Sequence, residues 1–483
     1  MPVNLVIDGK EIQKEEKLPL ISPGNGQILD YVSKGSSDDA KAAIDSAAKA
    51  FGSWSETPIY KRSNVLLKAA TLLRERLEDY ALTLAREAGK PIKDSRTEVL
   101  RAIGVFTYAA EEARRMMDGG VHRVDAYEYP PGNENRMVFT IREPLGVVSA
   151  ILPFNFPTNS FAHKVAPALA TGNTVVVKPS IQTPLSALKL TLLLGEAGLP
   201  PGCVNLVVGQ SKDVGDVLVN HSDVAMITFT GSTEVGLKLA AKAAAGAKRM
   251  IMELGGSDPF IVFDDADLGK AVSTAVRGRF DYAGQNCNSS KRFIVHQSIS
   301  KDFARKFSEL TAKLSVGDPL LETTEVGPVI SQDAVETMEK FVEDATRNGG
   351  KVLTGGSRLD RPGFYFKPTV LSDLPEDANV LSEEVFGPVA PIIPFKDVED
   401  AIAKANSVDY GLQSAIHTKD YKSALNAARR LKVGAVIIND STRLRWDALP
   451  FGGKKKTGFG REGVRDTMLE MTEVKVVSLN LAA

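Results

Sequence analysis

The chain is 483 residues long, 43% hydrophobic and 25% charged, with a net charge of −1. This is too long for one hydrophobic core and predicts two to four domains of ordinary soluble composition. The balanced charge excludes a basic field for nucleic acid or anionic membrane, and no apolar run approaches the roughly 20 residues that span a bilayer. The opening segment, MPVNLVIDGKEIQKEEK, lacks the basic and apolar regions of a secretory signal. Two cysteines, Cys203 and Cys287, rule out a disulfide framework and fit a reducing, cytoplasmic setting. The five histidines are scattered without ligand spacing, so no metal site is expected.

In chain order, residues 3–34 read as short strands turned at Asp8-Gly9 and Pro23-Gly24-Asn25-Gly26. Ser36-Ser37-Asp38-Asp39 has the composition of a helix cap, and Ile44, Ala47, Ala48 and Phe51 then fall on one helical face. Amphipathic helices are predicted over 60–88 and 92–117, the second stopped by Asp118-Gly119-Gly120. Tyr127 and Tyr129, a Pro-Pro-Gly-Asn-Glu-Asn turn and residues 136–142 predict a hairpin within 121–145. A hairpin without its own core suggests an oligomer contact, or else a surface hairpin on its own domain. From 146 to 252 strands (147–152, 174–178, 204–208, 224–229) alternate with helices (184–198, 212–220, 233–246). That alternation predicts a doubly wound parallel sheet with ligands at the carboxyl ends of its strands. Residues 257–440 repeat the alternation as a second α/β domain. Residues 452–460 read as a flexible basic loop, and 473–480 as a last strand that could pair with an edge elsewhere.

The residues with chemical potential cluster between Glu253 and Arg292. Glu253 precedes a Gly255-Gly256 turn, and Cys287 sits in a small polar loop 34 residues later. A thiol so placed can attack a carbonyl and a carboxylate can activate water, but only the fold can bring the two together. Taken alone, Cys287 reads as a buried structural thiol, the reading kept for Cys203; the polar neighbours Gln285, Asn286, Asn288, Ser289 and Ser290 shift it toward a reactive site. Lys178, ending an apolar strand, belongs at the ligand edge of the sheet rather than in the core. Asn155, in Pro153-Phe-Asn-Phe-Pro157, could donate to a developing oxyanion or simply serve a turn. Phe229-Thr-Gly-Ser232 stands between a strand and a helix N-terminus, suited to an anion or to simple capping. Gly458-Phe-Gly460-Arg-Glu-Gly463 matches GxGxxG literally but follows no predicted strand, and is read as a loop.

Seven stretches together resemble the aldehyde dehydrogenase superfamily in that family's order. They are Pro153–Pro157, Lys178-Pro-Ser180, Phe229–Ser232, Glu253-Leu-Gly-Gly256, Gly284-Gln-Asn-Cys287, Glu384-Val-Phe386-Gly-Pro388 and Pro450-Phe-Gly-Gly453. The resemblance covers nearly the whole chain. It implies an α/β fold of two doubly wound parallel-sheet domains plus a bridging β-hairpin for oligomerisation, as a homodimer or homotetramer. The cofactor domain would span 1–120 and 146–254, the catalytic domain 255–455, and bridging segments 121–145 and 464–483. Cys287 would attack the aldehyde, with Asn155 and the Cys287 N–H holding the oxyanion. Hydride would pass to the nicotinamide, and Glu253 would activate the water that hydrolyses the thioester. Phe229, Gly231, Ser232, Glu384 and Phe386 would face the cofactor, Lys178 its adenine ribose.

Relatives that prefer NAD often carry Glu three residues after this lysine, accepting from the ribose 2′-OH. Here Ile181 stands there, so Lys178, Ser180 and Lys212 are expected to favour NADP, with NAD possible. Asn159, His163, Asn286, Asn288 and Arg445 are expected to shape the substrate pocket, unless Arg445 only pairs with Asp447 or Asp440. The polar set suits an unphosphorylated hydroxyaldehyde such as glyceraldehyde or lactaldehyde. The stretch 438–463 is most similar to lactaldehyde, glyceraldehyde and non-phosphorylating glyceraldehyde-3-phosphate dehydrogenases of archaeal and bacterial type. Succinate semialdehyde and glyceraldehyde 3-phosphate are the alternative substrates. An acylating relative and a non-catalytic scaffold are the competing functions, and Glu253, Cys287 and Asn155 argue against both.

Overall fold

A computed structural model describes residues 3–116, 119–347 and 349–482. The first helix, Ser37–Ser55, begins as expected: Ser36 and Asp39 satisfy each other's backbone N–H groups in a reciprocal cap. The helix expected over 60–88 is two helices, Ile59–Glu75 and Leu77–Ala88. Arg76 breaks the run with a non-helical backbone and reaches Glu196 through two guanidinium bonds. Helix Ile92–Met116 follows, and the expected stop at Asp118 lies outside the described residues.

An eight-stranded sheet runs in the order Gly458–Phe459, Arg249–Glu253, Val224–Thr230, Val147–Ile151, Thr174–Lys178, Val204–Leu206, Leu5–Ile7, Lys10–Ile12. Its five central strands are parallel and buried, as their apolar runs require. Strand order reverses between Val147–Ile151 and Val224–Thr230, which makes their carboxyl ends the ligand crevice of such a sheet. The GxGxxG segment is not a plain loop. Gly458–Phe459 pairs antiparallel with Met252 and Glu253, and at Gly458 (φ 119°) a side chain would collide with the Met252 carbonyl.

A second, seven-stranded sheet has the order Lys351–Thr354, Thr369–Ser372, Val389–Phe395, Ser290–His296, Asp258–Val262, Gln413–His417, Ala435–Ile438. Only Lys351–Thr354 runs antiparallel. Apolar clusters cover both of its faces, and a separate, larger core surrounds the first sheet. The fold is therefore α/β with two parallel-sheet units. The chain crosses between them at Leu254–Ser257, so the carboxyl edge of the first sheet meets the amino edge of the second.

The segment 121–145 differs from the expected hairpin. Tyr127 and Tyr129 are exposed and form no strand, because Pro130 and Pro131 lack the donors a ladder needs. Instead Val121–His122 pairs with Arg136–Pro144, whose other edge takes the tail strand Thr472–Asn480 over nine residue pairs. Of the tail, helix Val464–Glu470 buries Val464 and Met468 in the first core; only the strand beyond it joins the three-stranded extension.

Candidate active site

A cleft of about 610 Å³ opens at the carboxyl ends of the first sheet's central strands. Lys178 ends its strand there, 6% exposed, and among the described residues its amine has no hydrogen-bond or ion-pair partner. Burial pushes that amine down to about 8. Ser180 and the 41%-exposed Ile181 line the cleft next to it. Phe229, Gly231 and Ser232 line its middle, where Ser232 caps helix Thr233–Ala245 by accepting the Val235 N–H. A Cβ on Gly231 would lie 2.6 Å from the Phe229 ring, so only glycine lets this turn close over it. Glu384 and Phe386 reach in from the second sheet's side, with Glu384 accepting the Gly256 N–H at 2.9 Å. Lys212 departs from expectation: the chain turns away in a π-helical turn, Ser211–Gly215, leaving Lys212 exposed while Gln210 and Ser211 line the cleft. An unpaired cation and a helix N-terminus, closed by a tight glycine turn, fit an anionic dinucleotide.

At the inner end of this cleft a smaller pocket of about 40 Å³ is lined by Cys287, Glu253 and Asn155. Cys287 and Asn155 line both spaces, so the thiol stands where they join. The segment bearing Glu253 comes close to the nucleophile loop at Gly256, where a Cβ would lie 2.7 Å from the Cys287 carbonyl oxygen. Asn155 follows strand Val147–Ile151 and donates one Nδ2 bond to the Gln285 carbonyl at 3.0 Å, leaving its second N–H. The Cys287 N–H has no partner among the described residues. Burial pushes the Cys287 thiol up to about 11, against the pull of Lys291 and Arg445.

Two carboxylates in this pocket have opposite environments. Both Glu253 oxygens are buried without partners, and burial, then the charge of Glu462, holds its carboxyl well above the ordinary range. Burial also disfavours the Glu462 charge, but Lys164 at 2.7 Å and Arg445 at 3.1 Å outweigh it and hold Glu462 well below that range. Glu253 is thereby made the more strongly basic carboxylate once it ionises, while Glu462 stays ionised.

Of the expected substrate residues, Asn159, His163, Asn288 and Arg445 line the pocket. His163 Nε2 bonds Asp447 at 2.9 Å, and burial lowers its pKa. Arg445 does not pair with Asp440; it bonds Glu462, stands 3.9 Å from Asp447 and lies over the Phe451 ring. Asn286 is absent from the pocket wall because its amide donates to the Asp281 carbonyl at 2.9 Å. Sequence reasoning missed Arg101, Arg443 and Glu462, all in the lining. Arg101 forks onto Asp447, whereas Arg443 has no carboxylate within ion-pair distance among the described residues and bonds Asn288 Oδ1 at 2.7 Å. The sequence signal for Arg443 is its place beside Arg445 in Thr442-Arg-Leu-Arg445.

Residues 11–477 match the model of the aldehyde dehydrogenase family. The chain is 42% identical to a 3-sulfolactaldehyde dehydrogenase of Priestia aryabhattai, over 99% of this chain and 98% of the relative. It is 43% identical to a lactaldehyde dehydrogenase of Methanocaldococcus jannaschii, over 99% and 100%. Among solved structures, an NADP-dependent enzyme of E. coli superposes with a TM-score of 0.95 at 36% identity, over 99% and 98%. An NAD-dependent aldehyde dehydrogenase of Sinorhizobium meliloti superposes equally well at 35% identity, over 100% and 95%. The chain belongs to the aldehyde dehydrogenase family.

Proposed function

We propose that the protein oxidises a small, polar, unphosphorylated hydroxyaldehyde of the glyceraldehyde or lactaldehyde kind to its carboxylic acid, preferring NADP to NAD. The observation that carries this reading is the shared pocket of Cys287, Glu253 and Asn155 at the inner end of the cleft. Burial favours thiol over thiolate at Cys287, so a proton must leave to solvent along the cleft before attack. A bond then forms from Sγ to the carbonyl carbon while the carbonyl electrons move to oxygen, held by Asn155 Nδ2–H and the Cys287 N–H. NAD(P), when bound, supplies the two-electron acceptor that converts this adduct to a thioester. Glu253 next takes a proton from water; the water oxygen bonds the acyl carbon and Sγ leaves, giving the acid.

Lys178, Ser180, Phe229, Gly231, Ser232, Glu384 and Phe386 would hold the cofactor. Glu384 is the only carboxylate among the described residues lining the cleft, so none repels a 2′-phosphate beside Lys178 and Ile181. The 40 Å³ pocket holds only about three water-sized groups, which favours a short substrate. A second reading has one supporting observation. Among the described residues, Arg443 is the single arginine of the pocket without a carboxylate partner, and it would suit a short anionic aldehyde such as succinate semialdehyde. We also propose a homodimer or homotetramer formed through the open edge of Thr472–Asn480, which exposes Val474, Val476 and Leu479.

Initial rates with glyceraldehyde, lactaldehyde and succinate semialdehyde, each with NADP and NAD, test the reading. Higher kcat/KM for the hydroxyaldehydes with NADP supports it. Preference for the anionic aldehyde, abolished in Arg443→Met, selects the second reading. A product that appears only with coenzyme A overturns both.

A further inference from the structure

The loop bearing Cys287 rests on a lysine that the chemistry above does not use. Lys291 lies four residues on, in strand Ser290–His296, and its side chain is 0% exposed. Its ammonium donates to the carbonyl oxygens of Asn286 at 2.9 Å and Cys287 at 2.5 Å. It also stands 3.4 Å from Glu384 Oε1. A buried ammonium usually spends its donors on a bonded carboxylate; this one places its two shortest bonds on the backbone of the nucleophile loop.

The chemical consequence follows from peptide connectivity. The Asn286 carbonyl and the Cys287 N–H belong to one planar, resonance-coupled unit. A cation on the oxygen draws electron density through that unit and makes its N–H a stronger donor. Beside the thiol, the Cys287 N–H is left without a partner among the described residues. We propose that Lys291 is a positioning residue for the addition step: it polarises the Asn286–Cys287 peptide toward the developing oxyanion and holds the thiol loop in place. This rests on Cys287 being the nucleophile. The same charge favours thiolate over thiol at Cys287, where it acts with Arg445 and against Glu253 and Asp258.

The test uses full-length Lys291→Met and Lys291→Arg, with two readouts. One is the rate of the first-turnover burst of reduced cofactor. The other is the pH dependence of Cys287 alkylation by iodoacetamide, measured without aldehyde or cofactor. Lys291→Met is expected to slow the burst about tenfold or more and to move the alkylation midpoint to higher pH, with Lys291→Arg recovering most of both. An unchanged burst overturns the proposal, as does equal slowing in both variants with the alkylation midpoint unmoved, which marks a merely structural lysine. If Lys291→Met fails to fold, Lys291→Gln, which keeps a donor without the charge, carries the same expectations. Wild-type enzyme that still turns over after complete Cys287 alkylation removes the nucleophile reading itself, a failure separate from that of Lys291.

Discussion

Replacing Lys90 by Met tests whether the buried scaffold under Asn155 is as stringent as its geometry implies. Lys90 and Glu98 form an ion pair whose side chains are 1% and 0% exposed. The Lys90 ammonium also donates to the Asn155 carbonyl at 2.7 Å and lies over the rings of Phe156 and Tyr282. Glu98 Oε1 accepts the N–H groups of Thr158 and Asn159, fixing the start of helix Pro157–Thr171, which carries Asn159, His163 and Lys164. Met fills the lysine's volume, so no cavity term enters. Stranding one partner of a buried pair costs about 3–5 kcal/mol, and the lost bond to Asn155 adds about 1 kcal/mol. Lys90→Met should therefore lose about 4–6 kcal/mol of stability. The double variant Lys90→Met/Glu98→Gln, with no stranded charge, should recover all but about 1–2 kcal/mol. Urea denaturation at neutral pH measures both. A loss below about 1 kcal/mol in the single variant, or no recovery in the double, refutes the reasoning.

Two further outcomes follow from the site. Ile181→Glu places a carboxylate near Lys178 and should lower kcat/KM for NADP at least about tenfold while sparing NAD; steady-state kinetics with both cofactors checks this, and equal losses contradict it. Glu253 has its pKa raised by burial and then by Glu462, and a base works only when ionised. Turnover limited by hydrolysis is thus full above that raised pKa and lost as pH falls through it. Glu462→Gln removes the opposing charge and frees Lys164 and Arg445 from their partner, so the acidic limb of kcat should move to lower pH; a limb that stays in place contradicts the electrostatic account.

The alternation of strands and helices was legible because apolar runs such as Thr174–Lys178 and Asp258–Val262 are buried on both faces. Asn155, Glu253 and Cys287 were legible because each stands in an unusual local context at the end of a strand or in a polar loop. Lys212 and Asn286 were misplaced for one reason: neighbourhood in sequence does not fix side-chain direction, and one chain turn or one amide bond to Asp281 redirects it. Glu462 and Arg101 were invisible because long-range packing brings them to the pocket, and Arg443 was signalled only by its place beside Arg445. Glu462 sits in the glycine-rich stretch read as a loop, and its role depends on Gly458–Phe459 pairing with the strand that ends at Glu253. The break at Arg76 has no glycine or proline to announce it.

In the proposed reaction Cys287 and Glu253 serve two successive halves, addition and hydrolysis, in one pocket. A single-turnover experiment with Glu253→Gln, a saturating hydroxyaldehyde and NADP tests it most directly, with intact-mass analysis of the enzyme. One equivalent of reduced cofactor and a persistent acyl adduct on Cys287 are expected, while Cys287→Ala yields neither. Continued turnover by Glu253→Gln, or an adduct on any other residue, would contradict it.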